Sequence, residues 1–175
     1  MPSRQDRNYF ELFGLSAAFD LDLNDLTHRY RGLARATHPD RFAAGSDQER
    51  RIAVQTTALL NEAFQTLKDP IARANYLLEL SGVASERDSQ RAMDPVFLAE
   101  QIEFRERLDD ARHSKDSKAR LADLATDVES RLRQTTDELR ARLVPGTAEL
   151  ERACRIVREM QFLTKLRRQI AELEE

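Results

Sequence analysis

Three neighbouring residues, His38, Pro39 and Asp40, stand where an amphipathic segment breaks off, in the stretch ATHPDRF. An imidazole beside a carboxylate is the pair that orients a general base in many hydrolytic enzymes. Such a base also needs a Ser or Cys nucleophile, and no recognisable motif places one beside His38. We further expect Pro39 to hold the two side chains apart. These residues therefore argue against catalysis by this chain.

The sequence is also poor in metal ligands. Its three histidines, His28, His38 and His113, match no metal-binding spacing. The single cysteine, Cys154, excludes an internal disulfide and any all-cysteine zinc or iron–sulfur site within one chain. One cysteine also suits a reducing compartment. We expect no metal and no other resident cofactor.

A binding turn is the better interpretation of the tripeptide. A tight loop between two packed helices exposes a rigid proline, an imidazole and a carboxylate beside unpaired backbone groups at the helix end. Such a turn suits a partner that presents an arginine. The alternative is a plain helix stop, in which Pro39 disfavours helical geometry at His38.

A basic strip leads into this turn. Residues 26–42 contain four arginines and one aspartate, whereas the whole chain has a net charge of −3. His28, Arg31 and Arg35 fall on one flank of the predicted helix, beside its apolar stripe. Charged strips are usually solvated faces, but one that ends at an exposed turn favours a binding surface.

Helices are predicted to position the turn. A short helix over 8–13 ends at Gly14. Asp22 caps the second helix, and Asp25 is placed to reach back to that cap. The apolar stripe predicted for this second helix comprises Leu23, Leu26, Tyr30, Leu33, Ala34 and Thr37.

A third and a fourth helix follow the turn. The segment SDQE, residues 46–49, has the pattern of a capping box. Asp69 and Pro70 begin the fourth helix, which ends at Gly82. The stripe predicted for the third helix comprises Ile52, Thr56, Leu59, Leu60, Ala63, Phe64 and Leu67.

The second half of the chain is predicted to be a bundle. A polar stretch at 83–94 breaks the helical period and is typical of a linker. A helix then runs from Pro95 to about His113, and a second long helix follows. Pro145 breaks that helix and Thr147 caps the last one. Short turns between long amphipathic helices imply antiparallel neighbours.

The predicted fold class is therefore all-α in two parts. Residues 1–82 form a helical hairpin domain, residues 83–94 a linker, and residues 95–175 an antiparallel three-helix bundle. Gly and Pro number only five each, which favours helices over a sheet. The sequence has neither a Gly-rich phosphate loop nor strand alternation.

Charge and hydropathy limit the classes of partner. A net charge of −3 gives no global attraction to nucleic acid or to an anionic membrane. No apolar run approaches the ~18 residues that span a bilayer, and the first ten residues, MPSRQDRNYF, have no apolar signal core. We expect a soluble protein of the bacterial cytoplasm, with a processed organellar form as the open alternative.

The helix from Pro95 has more apolar surface than one core stripe needs. Leu98 and Ile102 lie one turn apart on a second face, with Glu103 and Glu106 nearby. Phe162 lies off the stripe of the last helix and is predicted to join them. An apolar patch with an acidic rim is typical of a partner site, although Leu98 and Ile102 packing on the rest of the chain is the alternative. The core stripe comprises Phe97, Phe104, Leu108 and Ala111.

A resemblance to a known family rests on four segments in order: YFELFGL, LTHRYRGLARATHPDRFAAGS, LKDPIARANYLL and FLAEQIEFRERLDD. They are similar to J-domain proteins, and specifically to the HscB-type co-chaperones of iron–sulfur cluster biogenesis. The resemblance runs from about Tyr9 to the last residues. The HPD tripeptide alone is a moderate signal, whereas the ordered set is a strong one.

The resemblance implies a function for the turn. Residues 1–82 would be a J domain that engages a DnaK-like chaperone of the HscA type and triggers ATP hydrolysis in that partner. The chain itself is then not an enzyme. The residues that match the family's ATPase-binding surface are His38, Pro39, Asp40, Tyr30, Arg31 and Arg41.

The resemblance also implies a client. The family substrate is an IscU-type scaffold protein on which clusters are assembled. Some eukaryotic members carry an N-terminal cysteine tetrad for a metal, which this chain lacks, so no zinc is expected. The positions that match the family's scaffold site are Leu98, Ile102, Glu103, Glu106 and Phe162.

Two other functions stay open from the residues. A J-domain co-chaperone for general unfolded clients would use the bundle as a broad, mobile groove. A nucleic-acid regulator would use the Arg-rich helix, but the acidic net charge and the missing recognition helix argue against it.

Overall fold

The computed structural model describes residues 8–82, 95–143 and 149–174. Regular structure in these ranges is helical, and they contain no strand. The predicted linker, the Pro145 break and the Thr147 cap lie outside the described residues. The helices are α1 Tyr9–Leu12, α2 Leu23–Thr37, α3 Asp47–Lys68, α4 Pro70–Leu80, α5 Pro95–His113, α6 Ser117–Arg142 and α7 Leu150–Glu174, with a 3₁₀ helix at Pro39–Phe42.

Side-chain caps begin the helices of the first half largely as predicted, because their oxygens satisfy amide groups that a helix start leaves unpaired. Ser46 and Glu49 form the capping box of α3. Hydrogen bonds from the backbone and the hydroxyl of Ser46 lower the pKa of Glu49. Asp22 caps α2. The prediction for Asp25 is wrong, since its carboxylate accepts from Arg29 Nε at 2.9 Å instead of reaching back to the cap.

The chain divides into two compact units, Met1–Leu77 and Leu78–Glu175. This division falls inside α4, whereas the sequence predicts it after Gly82. In the first unit α2 packs against α3, and α1 packs against α3 as well. The fully buried large side chains of this unit are Phe10, Leu26, Leu60 and Leu67.

Polar contacts fix α1 within the first unit. The Tyr9 ring stacks on Tyr76 at 4.4 Å between centroids, and the Tyr9 backbone N–H donates to the Tyr76 hydroxyl at 3.0 Å. Arg29 Nη1 donates to the carbonyls of Phe13 and Gly14, both at 3.1 Å. Gly14 ends the segment at a φ of 64°, which glycine adopts without strain.

The second unit contains the predicted bundle of α5, α6 and α7. Arg131 on α6 ties the three helices together, with Nε 2.8 Å from Glu100 on α5 and Nη2 2.5 Å from Glu159 on α7. Burial alone would lower the pKa of Arg131, but the hydrogen bond to Glu100 and the nearby carboxylates raise it. The core comprises Phe104, Leu108, Ala111, Leu121, Leu124, Val128, Leu163, Leu166 and Ile170.

Several predicted core positions lie nearer the surface than expected. Leu23 is 43% exposed and Ile52 is 51% exposed. Ala53 is buried in place of Ile52, because it lies in line with the buried stripe of α3 while Ile52 is about 100° away. Phe97 is half-buried and meets Phe162 edge-on, with ring centroids 5.9 Å apart.

Candidate functional site

The HPD turn is built by the end of α2. His38 leaves helical geometry with φ −58° and ψ 131°, as a residue before proline favours. Pro39 then begins the 3₁₀ helix. The backbone N–H of Asp40 donates to His38 Nδ1 at 3.3 Å, and Asp40 Oδ2 lies 3.5 Å from the same nitrogen. The turn therefore holds the imidazole and the carboxylate together, and the expectation that Pro39 keeps them apart is wrong.

This proximity has a local cause. A polar side chain before a tight turn can accept from the backbone N–H two residues on, as Asn and Asp do in Asx turns, and His38 fills that role here. The side chains of His38 and Asp40 are 56% and 89% exposed. The backbone thus orders the imidazole, and both side chains are accessible.

The arginines near the turn separate into two kinds. Arg31, Arg35 and Arg41 are exposed, and no carboxylate of the described residues forms an ion pair with them. Arg29 is instead used within the domain, where it binds Asp25 and two carbonyls of the segment after α1. The basic strip available to a partner is therefore smaller than the sequence indicates.

Tyr30 serves the packing of its own domain. Its ring stacks on Phe64 with 4.2 Å between centroids, and its hydroxyl donates to Asn61 Oδ1 at 2.8 Å. The residue is half-buried. Its predicted role as supporting surface for the ATPase stays a prediction, and this residue also joins α2 to α3.

The outer face of α5 carries the second candidate surface. Leu98 and Ile102 are 42% and 52% exposed. Glu103 and Glu106 are exposed on the same helix, as predicted. Val96, at 77%, is more exposed still; it lies about 160° from Leu98 on the wheel but within about 20° of Glu103, so it lies at the acidic edge of this face.

Phe162 is less exposed than Leu98 and Ile102. It is partly buried against the bundle core and packs edge-on to Phe97. The guanidinium of Arg105 lies 5.8 Å from the centroid of its ring. Sequence reasoning missed Arg105, although its seven-residue spacing places it within about 20° of Leu98 on the wheel. Phe162 and Arg105 thus line the space between α5 and α7.

Two other kinds of site would be a metal centre and a membrane-spanning helix in the described residues. Within the described ranges, no cluster of three or more His, Cys, Asp or Glu side chains is arranged to hold a metal ion. None of the helices in those ranges has the length and apolarity to cross a bilayer.

Comparison with known proteins identifies the family. A family model described as the HSCB C-terminal oligomerisation domain matches residues 93–171. A relative from Shewanella halifaxensis, named Co-chaperone protein HscB homolog, is 43% identical over 172 residues, which cover 96% of this chain and 97% of the relative. The chain belongs to the HscB family of co-chaperones.

Solved HscB structures share the whole fold. The chain is similar to the chaperone HscB from Vibrio cholerae with a TM-score of 0.86 and 39% identity, covering 96% of this chain and 98% of that one. It is also similar to the human co-chaperone HscB, with a TM-score of 0.87 and 29% identity. That match covers 98% of this chain and 83% of the human one. The predicted family, the all-α fold with its J domain and bundle, and the co-chaperone role in iron–sulfur cluster biogenesis are confirmed.

Proposed function

We propose that this HscB-family chain delivers an IscU-type scaffold protein to an HscA-type chaperone by means of two separate surfaces. The HPD turn, with Arg31 and Arg41, activates the ATPase of the chaperone. The face of α5 around Leu98 and Ile102 binds the scaffold. The observation that carries the proposal is the exposed His38–Asp40 pair, which the turn holds at 3.5 Å.

The HPD turn presents three recognition groups in one arrangement. The Asp40 carboxylate can accept a bidentate hydrogen bond from an arginine of the chaperone. His38 offers an exposed imidazole. Pro39 restricts the backbone, so that binding the turn costs little conformational entropy. Positive charge at Arg31 and Arg41 speeds association with an acidic surface.

The chaperone performs the chemistry in this scheme. ATP is hydrolysed in its nucleotide site, and this chain supplies no catalytic group. A ligand shifts a conformational equilibrium only by its difference in affinity for the two states. The HPD turn must therefore bind the hydrolysis-competent conformation of the chaperone more tightly than the other one. We place this activity in the bacterial cytoplasm.

The scaffold surface works by apolar contact with a charged edge. A few apolar anchors carry most of the binding energy of an interface, and neighbouring polar residues exclude water from them. Leu98 and Ile102 are the anchors here. Glu103 and Glu106 form the acidic edge that meets basic groups of the scaffold. Phe162 contacts Phe97 of α5 from the side of α7.

A general co-chaperone for unfolded clients is the second candidate, because exposed Leu98 and Ile102 would also bind an unfolded chain. Competition separates the two functions. The full chain is loaded with a folded IscU-type scaffold, and a permanently unfolded protein is added in excess. We expect the scaffold to stay bound. Displacement of the scaffold by the unfolded protein would support the general function instead.

A further inference from the structure

A cleft between α5 and α7 carries unused positive charge. It has a volume of about 280 Å³, and the side chains of Leu108, Leu166 and Phe162 form its apolar lining. Three cations also line it, contributed by Arg105, Arg112 and Lys165.

The cations of this cleft differ from others in the bundle. Arg107 pairs with Asp127 at 2.5 Å, and Arg142 pairs with Glu149 at 2.6 Å. Among the described residues no carboxylate forms an ion pair with Arg105, Arg112 or Lys165. The bundle thus neutralises part of its positive charge internally, and three of the cations that have no ion pair with a carboxylate of the described residues lie around one concave site.

Of the described residues, only one acidic side chain lines the same cleft. Asp109 belongs to the lining, and its Oδ1 lies 3.7 Å from Nδ1 of His113. Three cations against one carboxylate leave the cleft positive. Apolar walls strengthen its attraction for an anion, because charges beside a low-dielectric surface are less screened than charges in open solvent.

The cleft continues the apolar face of α5. At 100° per residue, Leu98, Ile102, Arg105 and Arg112 fall within a sector of about 80°. Glu103 and Glu106 lie on the other side of the Leu98–Ile102 pair from Arg105 and Arg112. The apolar pair therefore has negative charge on one side and positive charge on the other.

We propose that the cleft receives carboxylate side chains of the same partner that covers Leu98 and Ile102, so that the partner docks in one orientation. This inference rests on the proposed scaffold function. The partner surface must carry an apolar patch with basic groups facing Glu103 and acidic groups facing Arg105. Reversed docking would place like charges together on both edges, which opposes binding.

Charge reversal in the full chain tests the inference. Arg105→Glu/Lys165→Glu should weaken the affinity for a purified IscU-type scaffold by about tenfold or more, measured by titration calorimetry at low salt. The matched control is Lys118→Glu/Arg155→Glu, which makes the same change in net charge on α6 and α7, outside the cleft, at two exposed cations that also form no ion pair with a carboxylate of the described residues. The control should alter the affinity by less than about threefold. Circular dichroism checks the fold, and Arg105→Gln/Lys165→Gln replaces the reversal if that variant unfolds.

A third variant separates this inference from the proposed function. Leu98→Ala/Ile102→Ala should lose scaffold binding whether or not the cleft takes part. If this variant loses binding while the charge reversal binds as tightly as its control, the cleft is only a solvated surface and the scaffold function stands. If neither variant changes the affinity, the scaffold site lies elsewhere and both proposals are wrong.

Discussion

The HPD turn and the α5 face are both exposed, but the chain builds them in different ways. The turn consists of three consecutive residues, and a hydrogen bond between the Asp40 backbone and His38 orders it. The predicted scaffold surface combines Leu98 and Ile102, four residues apart on α5, with Phe162 on α7. The first surface is thus a local backbone structure, whereas the second depends on how two helices pack.

Because the two surfaces are built differently, function and stability are coupled at the second surface and separate at the first. Side chains of the turn contact solvent and one another, so replacing them removes recognition groups and leaves the core intact. On the second surface only Leu98 and Ile102 are free of the core. Phe162 packs on Phe97 and against the core of the bundle, so this position serves binding and folding at once.

The largest effect is expected at the two exposed anchors. Leu98→Ala/Ile102→Ala should lower scaffold affinity about a hundredfold, or about 3 kcal/mol, because both side chains lose buried contact area in the complex. Stability should change by less than about 0.5 kcal/mol, measured by urea unfolding. Ile52→Ala/Val54→Ala is the matched control, since both side chains are exposed on α3 and not on α5. Wild-type affinity in the double variant would remove α5 from the scaffold site.

At Phe162 a smaller effect is expected, and it should appear in folding stability, which the Leu98 and Ile102 substitutions leave unchanged. Phe162→Ala should cost about 2 kcal/mol of folding stability, less than the 3–5 kcal/mol of a fully buried phenylalanine, because the ring is only partly buried. Urea unfolding of the full chain measures this, with Leu98→Ala as the control of unchanged stability. Equal stability of the Phe162 variant and the wild type would mean that Phe162 belongs to the open patch, as the sequence predicts.

The smallest of these effects is expected at the cap that follows the turn. Ser46→Ala should lower the melting temperature by a few degrees, because the amide at the start of α3 loses its acceptor. Stimulation of the ATPase should persist, since Ser46 lies outside the HPD turn. Ser117→Ala is the control, at a helix start that has no side-chain cap.

The pH dependence of this cap has a defined sign. The folded-state pKa of Glu49 is lowered by hydrogen bonds from Ser46. Its contribution is therefore present above the unfolded pKa and is lost as the pH falls through the folded pKa. The Ser46→Ala variant keeps the backbone N–H that is the larger cause of the lowered pKa, so only the hydrogen bond from the hydroxyl distinguishes the two proteins. The melting difference between Ser46→Ala and the wild type should therefore narrow slightly in acid. A difference that grows in acid would contradict this role of Glu49.

Helix caps and helix starts that depend on three or four neighbouring residues were predictable from the sequence. The Ser46–Glu49 capping box, the Asp22 cap and the start of α4 at Pro70 depend on neighbouring residues alone. The family resemblance added the order of the segments, and the fold class followed from both.

Features decided by packing or by turn geometry were not predictable from spacing. A helical wheel gives the direction of Phe162 but not the position of Phe97, which partly covers it. Likewise Ile52 is predicted as core because it is apolar, whereas the face of α3 that packs in the domain contains the smaller Ala53. At the HPD turn, the bond from the Asp40 amide to His38 depends on dihedral angles that the residue types do not specify.

The most direct test is the steady-state ATPase of a cognate HscA-type chaperone, measured with and without the scaffold. His38→Gln and Asp40→Asn should each lose at least about tenfold of the stimulation by this chain, while their stability stays within about 0.5 kcal/mol of the wild type. Asp116→Asn, an exposed carboxylate in the α5–α6 turn, should stimulate normally. Leu98→Ala/Ile102→Ala should stimulate normally without scaffold and should lose only the added effect of scaffold. Full stimulation by His38→Gln or Asp40→Asn would contradict the assignment of the HPD turn as the ATPase-activating surface.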